Sequence, residues 1–159
     1  MAIHQLPSHD RAEGRARWRL LGTIDQYLPP ARRGRAPRLR SYQTPATLIR
    51  AGATKRLDVL LERSSDSLFM AVHAIVTDTA GSVVLFRPFE IELAYRGGST
   101  KVSLVRSQLD ELAGVTGELR ALDYPFLVPA GSRLEASLTN LGALPRSVHL
   151  DFAGAAIDP

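Results

Sequence analysis

Two stretches of strict apolar/polar alternation in the last third of the chain decide what it can fold into. In residues 133–139, Leu134, Ala136 and Leu138 alternate with Arg133, Glu135, Ser137 and Thr139, and in 147–152, Val148, Leu150 and Phe152 alternate with Ser147, His149 and Asp151. A period of two sends successive side chains to opposite faces of an extended chain, so each stretch has one dry and one wet face. Half-buried antiparallel strands need that pattern and amphipathic helices do not. The short polar loop between the two stretches predicts an antiparallel hairpin lining one side of a β-sandwich.

Further strands are predicted at 47–50, 55–62, 68–77, 83–86, 89–95 and 101–106, about eight in all. The stretch 68–76 is apolar on both faces, with Leu68, Met70, Val72 and Val76 against Phe69, Ala71 and Ile75, and suits a central strand. Asp78-Thr-Ala-Gly-Ser82 and Arg96-Gly-Gly-Ser99 carry turn chemistry. One short helix is predicted at 107–112, with Ser107 as its N-cap and Asp110 three residues on. The fold class is therefore all-β, an antiparallel β-sandwich or jelly roll. A chain of 159 residues that is 45% hydrophobic can fill one such core.

The domain so defined spans residues 45–159, and residues 1–44 read as an extended basic N-terminal arm. Nine arginines and three carboxylates fall in residues 1–40, whereas the other 119 residues hold 11 basic and 13 acidic groups. Large apolar residues make up a quarter of the arm, too few for a core of its own. Residues 10–28 are compatible with one amphipathic helix stopped by Pro29-Pro30, although Gly14 and Gly22 weaken it. The expected docking residues are Trp18, Leu20, Leu21, Ile24, Tyr27 and Leu28, joined by Arg32, Arg33, Arg35, Arg38 and Arg40. Apolar anchors of this kind stabilise only when a partner buries them.

Catalytic and cofactor chemistry finds no support. Cysteine is absent, which excludes disulfides, thiolate nucleophiles and Cys-based zinc sites. The four histidines, His4, His9, His73 and His149, share no metal-ligand spacing, so no metal or other cofactor is expected. Neither G-x-S-x-G nor a phosphate-binding G-x-x-x-x-G-K-[ST] is present, and Gly97-Gly98 is better explained by a turn. Glu90 and Glu92 alternate with Phe89, Ile91 and Leu93 and belong to a solvated face. No apolar run reaches the roughly 18 residues of a membrane span, and no secretory signal is evident, so synthesis in the cytoplasm is expected. Arginine with so little interleaved aromatic character predicts no nucleic-acid partner.

The residues Tyr124, Pro125, Pro129, Ala130, Gly131, Ser132, Leu138, Thr139, Asn140, Val148, Leu150, Phe152 and Gly154 lie in the order aromatic-Pro-aliphatic, Pro-Ala-Gly-Ser, strand, Thr-Asn, loop, strand, Phe-x-Gly. With the arm and the small β-domain, this layout resembles accessory virion proteins of tailed bacteriophages, the capsid decoration or cement proteins and head- or neck-associated components. The resemblance implies a jelly-roll-like fold, homo-oligomers on the virion, no enzymatic activity, and the major capsid protein or other virion subunits as partners. A neck or tail position is the alternative within that class. Outside it stand a carbohydrate- or receptor-binding β-sandwich, which needs exposed aromatics for stacking, and a cupin-like enzyme, which needs more converging histidines than His73 and His149.

Overall fold

The computed structural model describes residues 24–59, 61–114 and 120–158. In chain order these form α1 (Ile24–Tyr27), a 3-10 turn (Pro30–Arg32), β1 (Arg38–Gln43), β2 (Thr47–Ile49), β3 (Thr54–Val59), β4 (Asp66–Thr77), β5 (Phe89–Gly97), β6 (Thr100–Gln108), α2 (Leu109–Leu112), β7 (Arg120–Val128), β8 (Arg133–Asn140) and β9 (Arg146–Ile157). Every pairing between strands is antiparallel. Sheet A runs β1-β9-β4-β7, with β2 also on β9, and sheet B runs β3-β8-β5-β6. β1 and β2 lie end to end along β9 and act as one interrupted strand. With that strand counted once, the order in the two sheets is that of a jelly roll, the two-sheet form of paired Greek keys.

The interruption between β1 and β2 has a local cause. Pro45 has no N–H to give to a ladder, and the buried Thr44 replaces the missing rungs with its backbone N–H to Leu150 O at 3.0 Å and its hydroxyl accepting Leu150 N–H at 2.9 Å. The sheet therefore begins at Arg38, inside the segment assigned from sequence to the arm.

The core lies between the sheets and is filled by the alternating residues read from sequence. Leu134, Ala136 and Leu138 of β8 and Val148, Leu150 and Phe152 of β9 are fully buried. At its centre the Phe69 ring lies 5.1 Å from Tyr42, 5.2 Å from Phe126 and 5.6 Å from Phe152. The Tyr42 hydroxyl shares a hydrogen bond with Ser67 at 3.1 Å, and burial pushes its pKa up. A second apolar cluster sits on the outer face of sheet A, where Ile24 and Leu28 cover Leu68, Met70, Ala155 and Ile157. That cover explains why β9 loses its alternation after Phe152.

Several expectations are corrected. β8 and β9 are not a hairpin on one side of the sandwich, because β8 pairs with β3 and β5 in sheet B while β9 pairs with β1, β2 and β4 in sheet A. The alternation is the same in both arrangements, so it cannot choose between them. Residues 83–86 form no strand; a single bridge joins Thr77 to Val83. Arg120–Val128 is a strand although it contains Pro125, which is tolerated because β7 is the edge of sheet A. The short helix begins at Leu109, after Gln108, and Ser107 stays in β6, where its hydroxyl donates to the Glu111 carboxylate at 2.7 Å.

Gly154 shows how closely sheet A is packed. The β4–β9 register slips by one residue between Phe69 and Ala71, and a Cβ on Gly154 would stand 2.0 Å from Leu68 O. Because backbone atoms cannot yield as a side-chain tip can, Gly154→Ala is expected to destabilise the protein by about 3 kcal/mol or more. That corresponds to a fall in Tm of about 10 °C in a thermal melt.

Candidate functional site

The docking residues expected in the arm divide into two groups. Trp18, Leu20 and Leu21 lie outside the described residues, as do His4, His9 and all of the predicted 10–28 helix before Ile24. The others lie among the described residues. Ile24 and Leu28 are buried on the chain's own sheet A, and Tyr27 is 43% exposed.

The arginines are also engaged within the chain. Arg32 pairs with Asp66 at 3.2 Å, Arg35 donates to Asp158 O at 3.1 Å, and Arg33 donates to Leu28 O at 3.2 Å. One Arg38 nitrogen reaches Glu62 at 3.0 Å, Asp158 at 2.8 Å and Ser65 at 3.0 Å, and Arg40 pairs with Glu62 at 2.5 Å. Residues far apart in sequence thus form one corner, where acidic groups neutralise the basic segment. The hydrogen bond from Arg40 is the largest of the influences that hold the Glu62 carboxyl below its usual range. Charge asymmetry along the chain showed that the arginines need partners, but not that Glu62, Asp66 and Asp158 supply them.

His73 Nδ1 lies 3.7 Å from Asp151 and has no hydrogen-bond partner among the described residues. The Ser41 hydroxyl donates to the other oxygen of Asp151. A hydroxyl, a carboxylate and an imidazole are therefore neighbours in the wrong order, because activation of a serine requires the imidazole between the other two. Glu90 and Glu92 pair with Arg106 at 2.7 Å and Lys101 at 3.0 Å on the solvated face of sheet B. No group of three or more potential ligands could hold a metal ion among the described residues.

The surface that stands out is the end of the sandwich where the β4–β5 and β8–β9 connections meet. After β4, Asp78 accepts the N–H groups of Ala80 and Ser82, both at 2.9 Å, and Gly81 takes a positive φ of 85° to close the turn. The chain then returns to the sandwich at Arg87, which is only 4% exposed. Its guanidinium donates to Asp110 at 2.5 Å, Ala74 O at 3.0 Å, Gly114 O at 2.8 Å and Ala113 O at 3.0 Å. Five donors in a planar fork suit such a cradle.

Drawing Arg87 inward leaves its neighbours outside: Leu85 is 77% and Phe86 75% exposed. In the β8–β9 loop Leu141 and Leu144 are more than half exposed, and Leu141 N–H donates to Pro88 O at 2.7 Å, which joins the two loops. Between the loops lies a crevice of about 230 Å³ lined by Val84, Phe86, Pro88, Ala143, Leu144 and Arg146. Residues 83–86 have the apolar composition of the strand expected there. The signal for a turned-out loop was the charged Arg87 directly after them, followed by Pro88.

No protein-family model matches the chain, and no curated protein matches it. Among solved structures, the chain is similar to one described as the structure of infectious bursal disease virus Gt strain, at 12% identity and a TM-score of 0.30, over 77% of this chain and 41% of that one. The chain thus spans less than half the length of that neighbour, and a TM-score this low transfers neither fold nor function.

The corner and the cradle each have a measurable consequence. Glu62→Gln is expected to lower Tm at pH 7, and the gap from the parent protein should close on acidification. A carboxyl with a depressed folded-state pKa contributes stability that is complete above its unfolded value of about 4.3 and is lost as pH falls through the lower folded value. Thermal melts between pH 7 and pH 2 check this. Arg87→Met removes the guanidinium hydrogen bonds to three carbonyls and one carboxylate, although Gly114 O keeps the Ala74 N–H, and should cost about 3 kcal/mol or more by denaturant titration. Arg87→Lys should restore little of it, because one ammonium cannot reach the spread of acceptors.

Proposed function

We propose that the chain is a non-enzymatic structural component of a tailed-phage virion, seated on shell or neck subunits through its apolar loop end. The observation that carries this reading is the exposed apolar loop end itself. Leu85 and Phe86 are exposed beside a buried arginine, Leu141 and Leu144 are exposed in the β8–β9 loop, and Phe86 and Leu144 line one largely apolar crevice. Apolar patches of this kind mark interaction sites more often than solvent-facing surface. The interior offers a packed core and no assembled catalytic constellation among the described residues, so the work falls to surfaces.

This reading shifts attachment away from the described part of the arm. Residues 24–40 are bound to the chain's own carboxylates and outer sheet face. Their role in the proposal is to brace the body of the protein. Homo-oligomerisation on the particle belongs to the same proposal, with a capsid position as its leading form and a neck or tail position as the alternative.

The test is sedimentation with phage particles that lack the protein. Leu85→Ser with Phe86→Ser removes two large apolar contacts at about 1.5 to 3 kcal/mol each, so attachment should fall by at least a hundredfold with Tm unchanged. Attachment of the parent protein should persist at about 0.2 M salt, where exposed charge pairs are largely screened. Unchanged attachment of the double variant overturns the proposal, and so does glycan binding by the parent protein in place of particle binding.

A further inference from the structure

At the end of the sandwich opposite the apolar loops, the β3–β4 connection and the β7–β8 turn border a cleft of about 500 Å³. The turn is fixed in place: Ser132 N–H donates to Pro129 O at 3.1 Å, Gly131 takes a positive φ of 78°, and Ala130 N–H donates to Asp66 at 2.9 Å. Across the cleft the end of β3 presents the exposed Asp58, with Val59 and Leu61 as the apolar part of the wall. Arg63 from the β3–β4 connection and Arg133 from the start of β8 complete the lining.

Both arginines lack a counter-ion, because the acidic groups around them are committed elsewhere. Glu62, next to Arg63, is held by Arg38 at 3.0 Å and Arg40 at 2.5 Å. Asp66 is held by Arg32 at 3.2 Å, and Glu135 by Arg96 at 3.2 Å and Arg56 at 3.8 Å. Among the described residues the side chains of Arg63 and Arg133 make no hydrogen bond or ion pair, and the Ser132 hydroxyl has no partner either. In the β5–β8 ladder Arg133 stands directly opposite Arg96, a pairing of like charges that costs stability until an anion relieves it. Asp58, the carboxylate in the wall, reaches only Arg56, at 4.0 Å.

We propose that this cleft binds a small acidic sugar, with the carboxylate of a hexuronic acid taken by Arg63 and Arg133 and the ring hydroxyls by Asp58 and Ser132. The donor set selects that chemistry. Guanidinium forks match the two oxygens of a carboxylate. Asp58 accepts hydroxyl hydrogens and repels an anion of higher charge such as phosphate, while Val59 and Leu61 offer an apolar surface to the C–H face of the ring. No aromatic ring lines the cleft, so ionic contacts rather than stacking hold the ligand. Its volume falls within the roughly 300–1,000 Å³ of small-molecule sites. The cleft lies at the other end of β4 and β8 from the apolar loops and stands independently of the virion reading.

The test is NMR titration of the full-length protein with galacturonate, with galactose and inorganic phosphate as comparisons. Galacturonate should bind saturably, and the other two about tenfold more weakly or worse. Arg63→Ala and Arg133→Ala should each weaken galacturonate binding about tenfold or more, since each removes a charge-assisted hydrogen bond, without lowering Tm. Asp58→Asn leaves both arginines in place and should narrow the gap between galacturonate and phosphate, because it removes the repulsion of the higher charge together with a hydroxyl acceptor. Absence of saturable galacturonate binding overturns the proposal, as does galactose binding of equal strength. Phosphate bound as tightly as galacturonate makes this a plain anion site and overturns the sugar assignment. Folded arginine variants that keep full affinity place the ligand elsewhere and overturn it too.

Discussion

A jelly roll sends its chain back and forth between two sheets, and each passage carries backbone polar groups around the rim of an apolar core, where they must be satisfied. At one end of this molecule two side chains meet that requirement for four passages. Arg87 lies on the β4–β5 passage and donates to the segment between β6 and β7 at Ala113 and Gly114. The fully buried Asn140 ends β8, gives its amide hydrogens to Ile49 O before the β2–β3 passage and to Leu144 O in the β8–β9 passage, and accepts Gly142 N–H. Leu141 N–H to Pro88 O couples the two systems. The crossings beneath the apolar loop end are thus tied to one another by hydrogen bonds.

The parts of the fold that were legible in the sequence are those where one strand face meets the core. Leu134 to Leu138 and Val148 to Phe152 announce themselves through alternation, and the doubly apolar stretch around Val72 announces a strand covered on both sides. β1 was hidden because only Tyr42 among its side chains is buried; the strand exists through its ladder to β9. Pro125 hid β7. The placement of β8 and β9 in opposite sheets is a property of the whole topology, and no local pattern encodes it.

The candidate site was less legible. The apolar run before Arg87 has the composition of a strand, and only the burial of the arginine reverses its meaning. The basic segment was conspicuous, yet its acidic partners are spread over nearly a hundred residues, from Glu62 to Asp158, and gather only when β1, β4 and β9 come together. Composition thus showed that charge had to be compensated, and tertiary structure shows that the same chain compensates it.

β9 also sets the order in which this molecule can form. It is the last strand of the described chain, yet β1, β2 and β4 all pair with it, and Tyr42 meets Phe152 across 110 intervening steps of sequence. Until the ribosome has released β9, sheet A has no strand to join β1 to β4, and its apolar inner face waits uncovered. Chains dominated by such distant pairings fold in milliseconds to seconds rather than microseconds. During that wait the free edges are open to pairing with other unfinished chains, so the yield of native protein depends on how crowded nascent copies are, and slow, cool expression favours it.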